Sequence, residues 1–509
     1  MNEELEQNQQ ETVQEQHSDA VGFSELLAEA FGSTTLDLQS EEDRNDLQAM
    51  LNTCASVQKL NEGKIPKSAI RRLEDAQAYL EEKLSAMVSE LMHTDKFRKL
   101  EGSWRGLHDL VKNTDENTGS LVKMLNISKE DLADDLENSP GIENSQFYKK
   151  VYSSEFDTDG GQPYNHIIGD YEFGHTSSDI DMLDQISQVA AGAHCLFIGA
   201  ASPKMFEIDN FKKMTNLKNF DKYLGTSTHK HWKALRAKEN SKYLALALPR
   251  VMARDIYGGT DGKQAKSFNF QEFETTEEGK FKELDSEKLC WKNAAYSYGE
   301  NIALAFSKYK WCTATSGPEG GGKVSDLPAP DMVTANGETI TQCPTEVNIT
   351  GNQNKDLCSN GFLPLIHTKG ESHASFYESN SVYKAKDYGP RETQKTENEQ
   401  ISAMIPCVLS GGRIAHYLKS IAKDKIGSFT TKEKTQTWLQ NWIHSFVADT
   451  ADPTVEQMNE RPFAEALIEV REIPGQAGAY HADVQLRPWL PMTQLNAAIK
   501  MVTKLAKKK

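Results

Sequence analysis

The chain has 509 residues, enough for roughly three domains of ordinary size and a substantial core. Asp and Glu outnumber Lys and Arg by 74 to 57, a formal net charge of −17 that repels a phosphate backbone and argues against nucleic acid as a main partner. No window holds the run of about eighteen apolar residues that a membrane span needs, and MNEELEQNQQETVQEQ has neither the basic nor the apolar run of a signal peptide.

Seven cysteines (Cys54, Cys195, Cys290, Cys312, Cys343, Cys358, Cys407) lie far apart with no C-x-x-C pair. They fit reduced, mostly buried thiols in a cytoplasm better than disulfides or a zinc site.

Residues 1–21, rich in Glu, Gln, Asn and Asp, are predicted to be a mobile tail. Phe23, Leu26, Leu27, Ala30 and Phe31 then form a helical stripe with Gly32 placed to end it. A stripe this short cannot bury itself, so it is expected to dock on a partner or on its own body. After Pro66, residues 67–93 carry a seven-residue repeat, Leu73, Leu80 and Met87 in one row and Ile70, Leu84 and Leu91 in the other, with Gln77 interrupting. Packing of this seam on the next helix is the simplest expectation.

That next helix, DKFRKLEGSWRGLHDLVKNT (95–114), places Phe97, Leu100, Trp104, Leu107 and Val111 at spacings of three and four, flanked by Lys96, Arg98, Lys99, Arg105 and Lys112. The pattern predicts an amphipathic core helix with a basic, solvated side.

Beyond Asn117 strands and helices alternate. LVKMLNI (121–127) and YNHIIGDYEF (164–173) read as strands, SKEDLADDLE (128–137) as a helix capped by Ser128, and SSDIDMLDQISQVAAGA (177–193) as a helix. HCLFIGAA (194–201) and KYLALALP (242–249) are nearly continuous apolar runs, the mark of strands buried on both faces. Residues 259–288 read as a polar insertion, 291–309 as a helix, 310–316 as a strand, and 401–429 as a helix that Pro406 and Gly411–Gly412 should kink or split.

Near the end, FAEALIEV sets Ala464, Ala466, Ile468 and Val470 on one face, and AYHADVQLR sets Tyr480, Ala482, Val484 and Leu486 likewise, with IPGQAG as the turn. Such a ribbon either joins the internal sheet or is completed by another chain.

The fold class expected is therefore α/β (α+β): a tail at 1–21, a helical region at 22–116, a mixed-sheet body at 117–383, a helical segment at 384–460 and a hairpin with its tail at 461–509.

Candidate chemistry is sparse. GPEGGGKV (317–324) has the frame of a phosphate-binding loop with Lys323 as its cation, which would make a nucleotide-dependent enzyme the alternative function. Val324 stands where Ser or Thr should hold magnesium, however, and Pro328 and Pro330 forbid the helix that must follow. Asp157-Thr-Asp159-Gly160 begins like a calcium loop but lacks the distal ligands, and His229, His231, His367 and His373 lack a zinc frame. No catalytic nucleophile, cofactor site or metal site emerges, so the expectation is a protein that is not an enzyme.

Eight blocks in series resemble the large subunit of the type VI secretion contractile sheath, the family known as TssC, VipB, ImpC or EvpB. They are residues 97–114, 160–173, 189–206, 245–258, 317–328, 361–370, 415–429 and 474–490. The RPWLPMTQLN terminus and the long insertion at 259–288 depart from the common pattern toward the divergent IglB-like branch.

The resemblance implies a structural subunit in the bacterial cytoplasm that co-assembles with a small subunit of the TssB, VipA or IglA type. Copies stack into a helical tubule around an Hcp-type inner tube on a baseplate, and contraction propels that tube. The hairpin residues Ala464 to Val470 and Tyr480 to Leu486 are the candidates for strand exchange. The Phe23–Phe31 stripe is the segment a Clp-type disassembly ATPase would read.

Overall fold

The computed structural model describes Ala49 and residues 69–489, apart from 218, 261, 283, 335, 426–430, 449, 451 and 473–479. The stripe Phe23–Phe31, the tail at 1–21 and the hairpin turn lie outside the described residues. The chain divides into two compact units, one containing residues up to His93 with 256–282, the other containing 94–255 and everything from 283 onward.

In the first unit helix α1 (Ala69–Met92) carries residues 259–282 of the insertion. His93 Nε2 lies 3.6 Å from the buried Glu272 carboxylate, the His93 ring stacks at a tilt on Phe273, and Ser89 Oγ donates to the Glu272 carbonyl. The polar stretch is thus anchored loop. Leu80, Leu84, Met87 and Leu91, predicted to form a buried seam, are exposed.

In the second unit a four-stranded sheet runs β1 (His166–Phe173), β2 (Leu196–Ala201), β3 (Leu244–Leu248) and β5 (Leu363–Pro364), all parallel and in that spatial order. Helix α4 (Ser177–Ala193) spans the predicted residues because Thr176 caps its start and His194, at φ 52°, ends it. Its Ile180, Leu183, Ile186 and Val189 pack with Phe197, Leu244, Leu246 and Leu248. On the opposite sheet face, Leu196, Ile198, Ala245 and Ala247 meet Ala294, Ala295, Tyr298 and Ile302 of α6 (Ala294–Tyr309). Burial on both faces is why these strands read as unbroken apolar runs. Antiparallel pairing is confined to small sheets, such as β4 (Lys323–Val324), β7 (Ala374–Ser375) and β6 (Ile366–His367).

Three expectations are corrected. Residues 121–127 form no ladder; Leu121, Val122, Met124 and Leu125 are exposed, and Tyr171 Oη donates to the Ile127 carbonyl where the segment ends. Residues 310–316 form no strand either: Trp311, Cys312 and Ala314 are buried without ladder partners, and the Thr315 carbonyl accepts from Ser379 Oγ. The third is corrected only in part: the helical run does break, at residues 403–404, between a helix that ends at Ser402 and α9 (Ile405–Lys425), which holds Pro406 in its first turn where no intrahelical N–H is needed, whereas Gly411–Gly412 leave α9 unbroken. Gly412 lets α9 approach α4: a Cβ there would lie 2.4 Å from the His194 carbonyl oxygen, while His416 Nε2 donates to Ala193 O at 2.9 Å.

Candidate assembly interfaces

Strand β8 (Phe463–Glu472) pairs antiparallel with β9 (Tyr480–Pro488), setting Ala466 opposite Leu486, Ile468 opposite Val484 and Val470 opposite Ala482. Of the residues predicted to share a face, Ala466, Ile468 and Val470 are buried, Val484 and Leu486 are half-buried, and Ala482 is exposed. Ala464 falls in an irregularity between Phe463 and Glu465, so Phe463 takes the core position instead. For Tyr480 only the backbone pairing with Glu472 is described.

The inner face packs on α10 (Lys432–His444) through Leu439 and Ile443, with Trp311 and Ile414 completing the core. Full burial of Ile468 and Val470 contributes about 1.5–3 kcal/mol each. The ribbon is therefore fastened to its body by side chains and by one backbone bridge, Phe463 beside Val447, and joins no other strand among the described residues.

Its two edges differ. Gln440 Nε2 donates to the Ala466 carbonyl at 2.9 Å, and Ile468 N–H donates to Gln440 Oε1 at 2.8 Å. One side-chain amide thus satisfies the outer edge of β8 as a neighbouring strand would. Since the main-chain groups of 466 and 468 point away from β9, antiparallel alternation points those of Leu486, Val484 and Ala482 away from β8. The β9 edge pairs with nothing among the described residues.

The second surface is helix α2 (Asp95–Lys112), and it is turned the other way from the expectation. Its buried line is Gly102, Gly106 and Leu110, not the aromatic row. A Cβ at Gly102 would stand 2.3 Å from the Trp291 carbonyl oxygen, and one at Gly106 would stand 2.4 Å from the Tyr296 ring. Two glycines one helical turn apart let the helix axis come close, which no larger residue permits.

Ion pairs lock that approach. Arg254 Nε donates to Glu101 Oε1 at 2.7 Å and Arg105 Nε to the same oxygen at 2.8 Å, while buried Lys292 reaches Asp109 Oδ2 at 2.6 Å and Glu300 at 3.5 Å. Burial alone would raise the Glu101 carboxyl, but the two guanidiniums outweigh it and hold it below its ordinary value. Burial wins at Glu300, which is raised. With this side consumed, Leu100, Trp104 and Val111 stay exposed, Trp104 at 57 %. The alternation of large and small residues was legible in the sequence; which side docks was not.

The other candidates resolve as structural. The glycine loop folds back on the chain: Gly317 N–H donates to Phe376 O, Gly322 N–H to Gly317 O, and Phe376 N–H to Gly322 O. The short strand β4 follows it, not a helix, so no helix N-terminus faces the loop and the phosphate-loop reading fails. Asp157 and Asp159 are paired to Lys419 (2.7 Å) and Lys423 (3.1 Å) of α9. His229 is fully buried, with its nitrogens 2.9 Å from Met205 O and 3.1 Å from Thr226 Oγ1. No helix among the described residues is long and apolar enough to cross a membrane.

Known proteins resemble this chain over nearly its whole length. Residues 74–383 match the family described as EvpB/VC_A0108, tail sheath N-terminal domain, and residues 394–505 the one described as EvpB/VC_A0108, tail sheath gpW/gp25-like domain. The type VI secretion system sheath protein TssC1 of Pseudomonas aeruginosa is 35% identical over 500 residues, covering 98% of this chain and 97% of that protein. Among solved structures, the anti-feeding prophage baseplate, 6-fold symmetrised, is similar at 10% identity and TM-score 0.33, and that phage's contracted helical sheath at 12% and 0.28. Each of these two covers 64% of this chain and 66%, just under two thirds, of the other.

Proposed function

Because the chain belongs to the EvpB/VipB family of type VI secretion sheath large subunits, a family of structural proteins and not enzymes, we propose that it works through two surfaces. The open edge of β9 receives a strand from a neighbouring protomer, and the outward row of α2 seats the small subunit of the TssB, VipA or IglA type. The observation that carries this reading is the ribbon itself, packed by side chains on its own body while one edge pairs with nothing among the described residues. Main-chain ladders of this kind hold while the bodies they join rotate, which a contracting helical tube requires.

Copies add head to tail through interfaces that do not close, around an Hcp-type inner tube and from a baseplate, in the bacterial cytoplasm. Contraction drives the tube by relaxing to a better-packed state, with no hydrolysis in this subunit. The RPWL block beginning at Arg487 and the 259–288 insertion support placement in the IglB-like branch. The Phe23–Phe31 stripe is the segment offered to a Clp-type ATPase, and deleting it is expected to spare assembly while slowing disassembly.

The test is truncation after Pro474, which removes β9. Co-expression with the small subunit followed by electron microscopy should then give soluble protein and no tubules; normal tubules would refute the role of the ribbon.

A further inference from the structure

The Cys343 thiol and the His367 imidazole, 24 residues apart in sequence, meet at Sγ···Nδ1 3.4 Å. The other ring nitrogen, His367 Nε2, lies 2.7 Å from the Glu371 carbonyl oxygen, an acceptor only, so Nε2 carries a proton and Nδ1 is the atom turned on sulfur. Thr345 also meets the sulfur, with its Oγ1 at 3.2 Å and its backbone N–H bonded to the thiol. A nucleophile, a base in hydrogen-bond reach and a third group that orients the base are thus assembled on a chain with no catalytic reading.

The electrostatics agree with the geometry. Burial alone would raise the Cys343 thiol, but the bonds from His367 and Thr345 bring it below its ordinary value. His367 is raised, first by its bond to Cys343, against a smaller effect of burial. Glu371 and His373, the titratable groups on the adjoining turn, lie 3.9 Å from each other. The remaining described thiols are of the opposite kind: burial pushes Cys195, Cys290, Cys312 and Cys407 up to about 12, and Cys358 well up. Cys343 is also only half-buried, whereas Cys195, Cys290, Cys312 and Cys358 are buried.

We propose that Cys343 and His367 form a thiolate–imidazolium modification site that accepts small disulfides of the glutathione disulfide class. The Cys343 thiolate attacks one sulfur of the disulfide, the new S–S bond forms as the old one breaks, and the departing thiolate takes up the proton held by His367. Cys343 is oxidised to a mixed disulfide and half of the reagent is reduced to a thiol. A second small thiol reverses the step.

The full-length protein in a Cys54→Ser background, which removes the cysteine outside the described residues, is treated with 5,5′-dithiobis(2-nitrobenzoate) from pH 5 to 9 and mapped by peptide mass. Cys343 should label first, with a rate whose pH midpoint lies below the ordinary thiol value near 8.5. His367→Gln should slow that labelling at least about tenfold at pH 6.5, while leaving the rate in denaturant unchanged. Glutathione disulfide should give the mixed disulfide at the same cysteine, reversed by dithiothreitol. A midpoint at the ordinary value, or Cys343 labelling no faster than the buried cysteines, overturns the proposal. The profile of the protein with His367 intact decides this even if the variant fails to fold.

Discussion

Replacing Trp104 with alanine separates an interface residue from a core residue. In the isolated subunit 57 % of Trp104 is exposed. Taking about 250 Å² for a tryptophan side chain leaves about 140 Å² for a partner to cover, worth about 3.5 kcal/mol at ~25 cal/mol per Å². Alanine keeps part of that contact, so the expected loss is about 2–3 kcal/mol, an affinity for the small subunit weaker by about thirty- to a hundred-and-fifty-fold. The assay is titration of the purified small subunit onto the wild type and onto Trp104→Ala, with thermal unfolding of each large subunit alone as the control. Unfolding of the variant alone should shift little, since the indole supports no core cluster. An unchanged affinity, or a large loss of stability in the isolated subunit, would show that the outward row is not where the partner sits.

Gly102→Ala should do the reverse: the gain in helix propensity, about 1 kcal/mol, is outweighed by overpacking of about 1–3 kcal/mol against a backbone oxygen that cannot yield cheaply. A higher melting temperature for this variant would contradict the close approach of α2. Ala482→Pro removes a main-chain N–H on the open edge of β9 and should abolish tubules while leaving the hairpin intact, whereas Asp483→Pro removes a bond to β8 and should loosen the hairpin itself; equal effects from both would refute the edge assignment. Glu101, held below its ordinary value in the folded chain, contributes stability that is fully present above the unfolded carboxylate value of about 4.3 and is lost as pH falls through the lower folded value. The melting-temperature gap between wild type and Glu101→Gln should therefore be flat from pH 8 to about 5 and shrink below it. Glu300 is common to both proteins and cancels, so a gap as wide at pH 3 as at pH 7 would disprove the ion-pair account. Lys323→Ala, at an exposed position beside a self-bonded loop, should leave tubule formation unchanged, as seen by electron microscopy.

Much of the architecture was written locally. Residues 177–193 specify their own helix through a Thr cap, a periodic apolar face and a left-handed last residue, and they do so whatever lies beyond them. The apolar runs around 196–201 and 244–248 could be read as strands covered on both sides, because only a doubly buried strand tolerates no polar alternation. The hairpin showed itself by period-two patterning and turn chemistry.

Other features were decided by packing. LVKMLNI at 121–127 has the composition of a strand, but composition does not supply a neighbour to pair with. The helix at 95–112 has a large apolar row and a small glycine row, and the sequence could not show that the small one faces inward. That choice was made by Trp291 and Tyr296, nearly two hundred residues away, and by Arg254 and Lys292, which draw the acidic side down with the glycines. Cys343 and His367 were likewise joined only when Ile366–His367 took its place beside Ala374–Ser375. Periodicity along a chain records that a face avoids water; whether that face is covered by the same molecule or by the next depends on distances that exist only after the backbone has closed on itself.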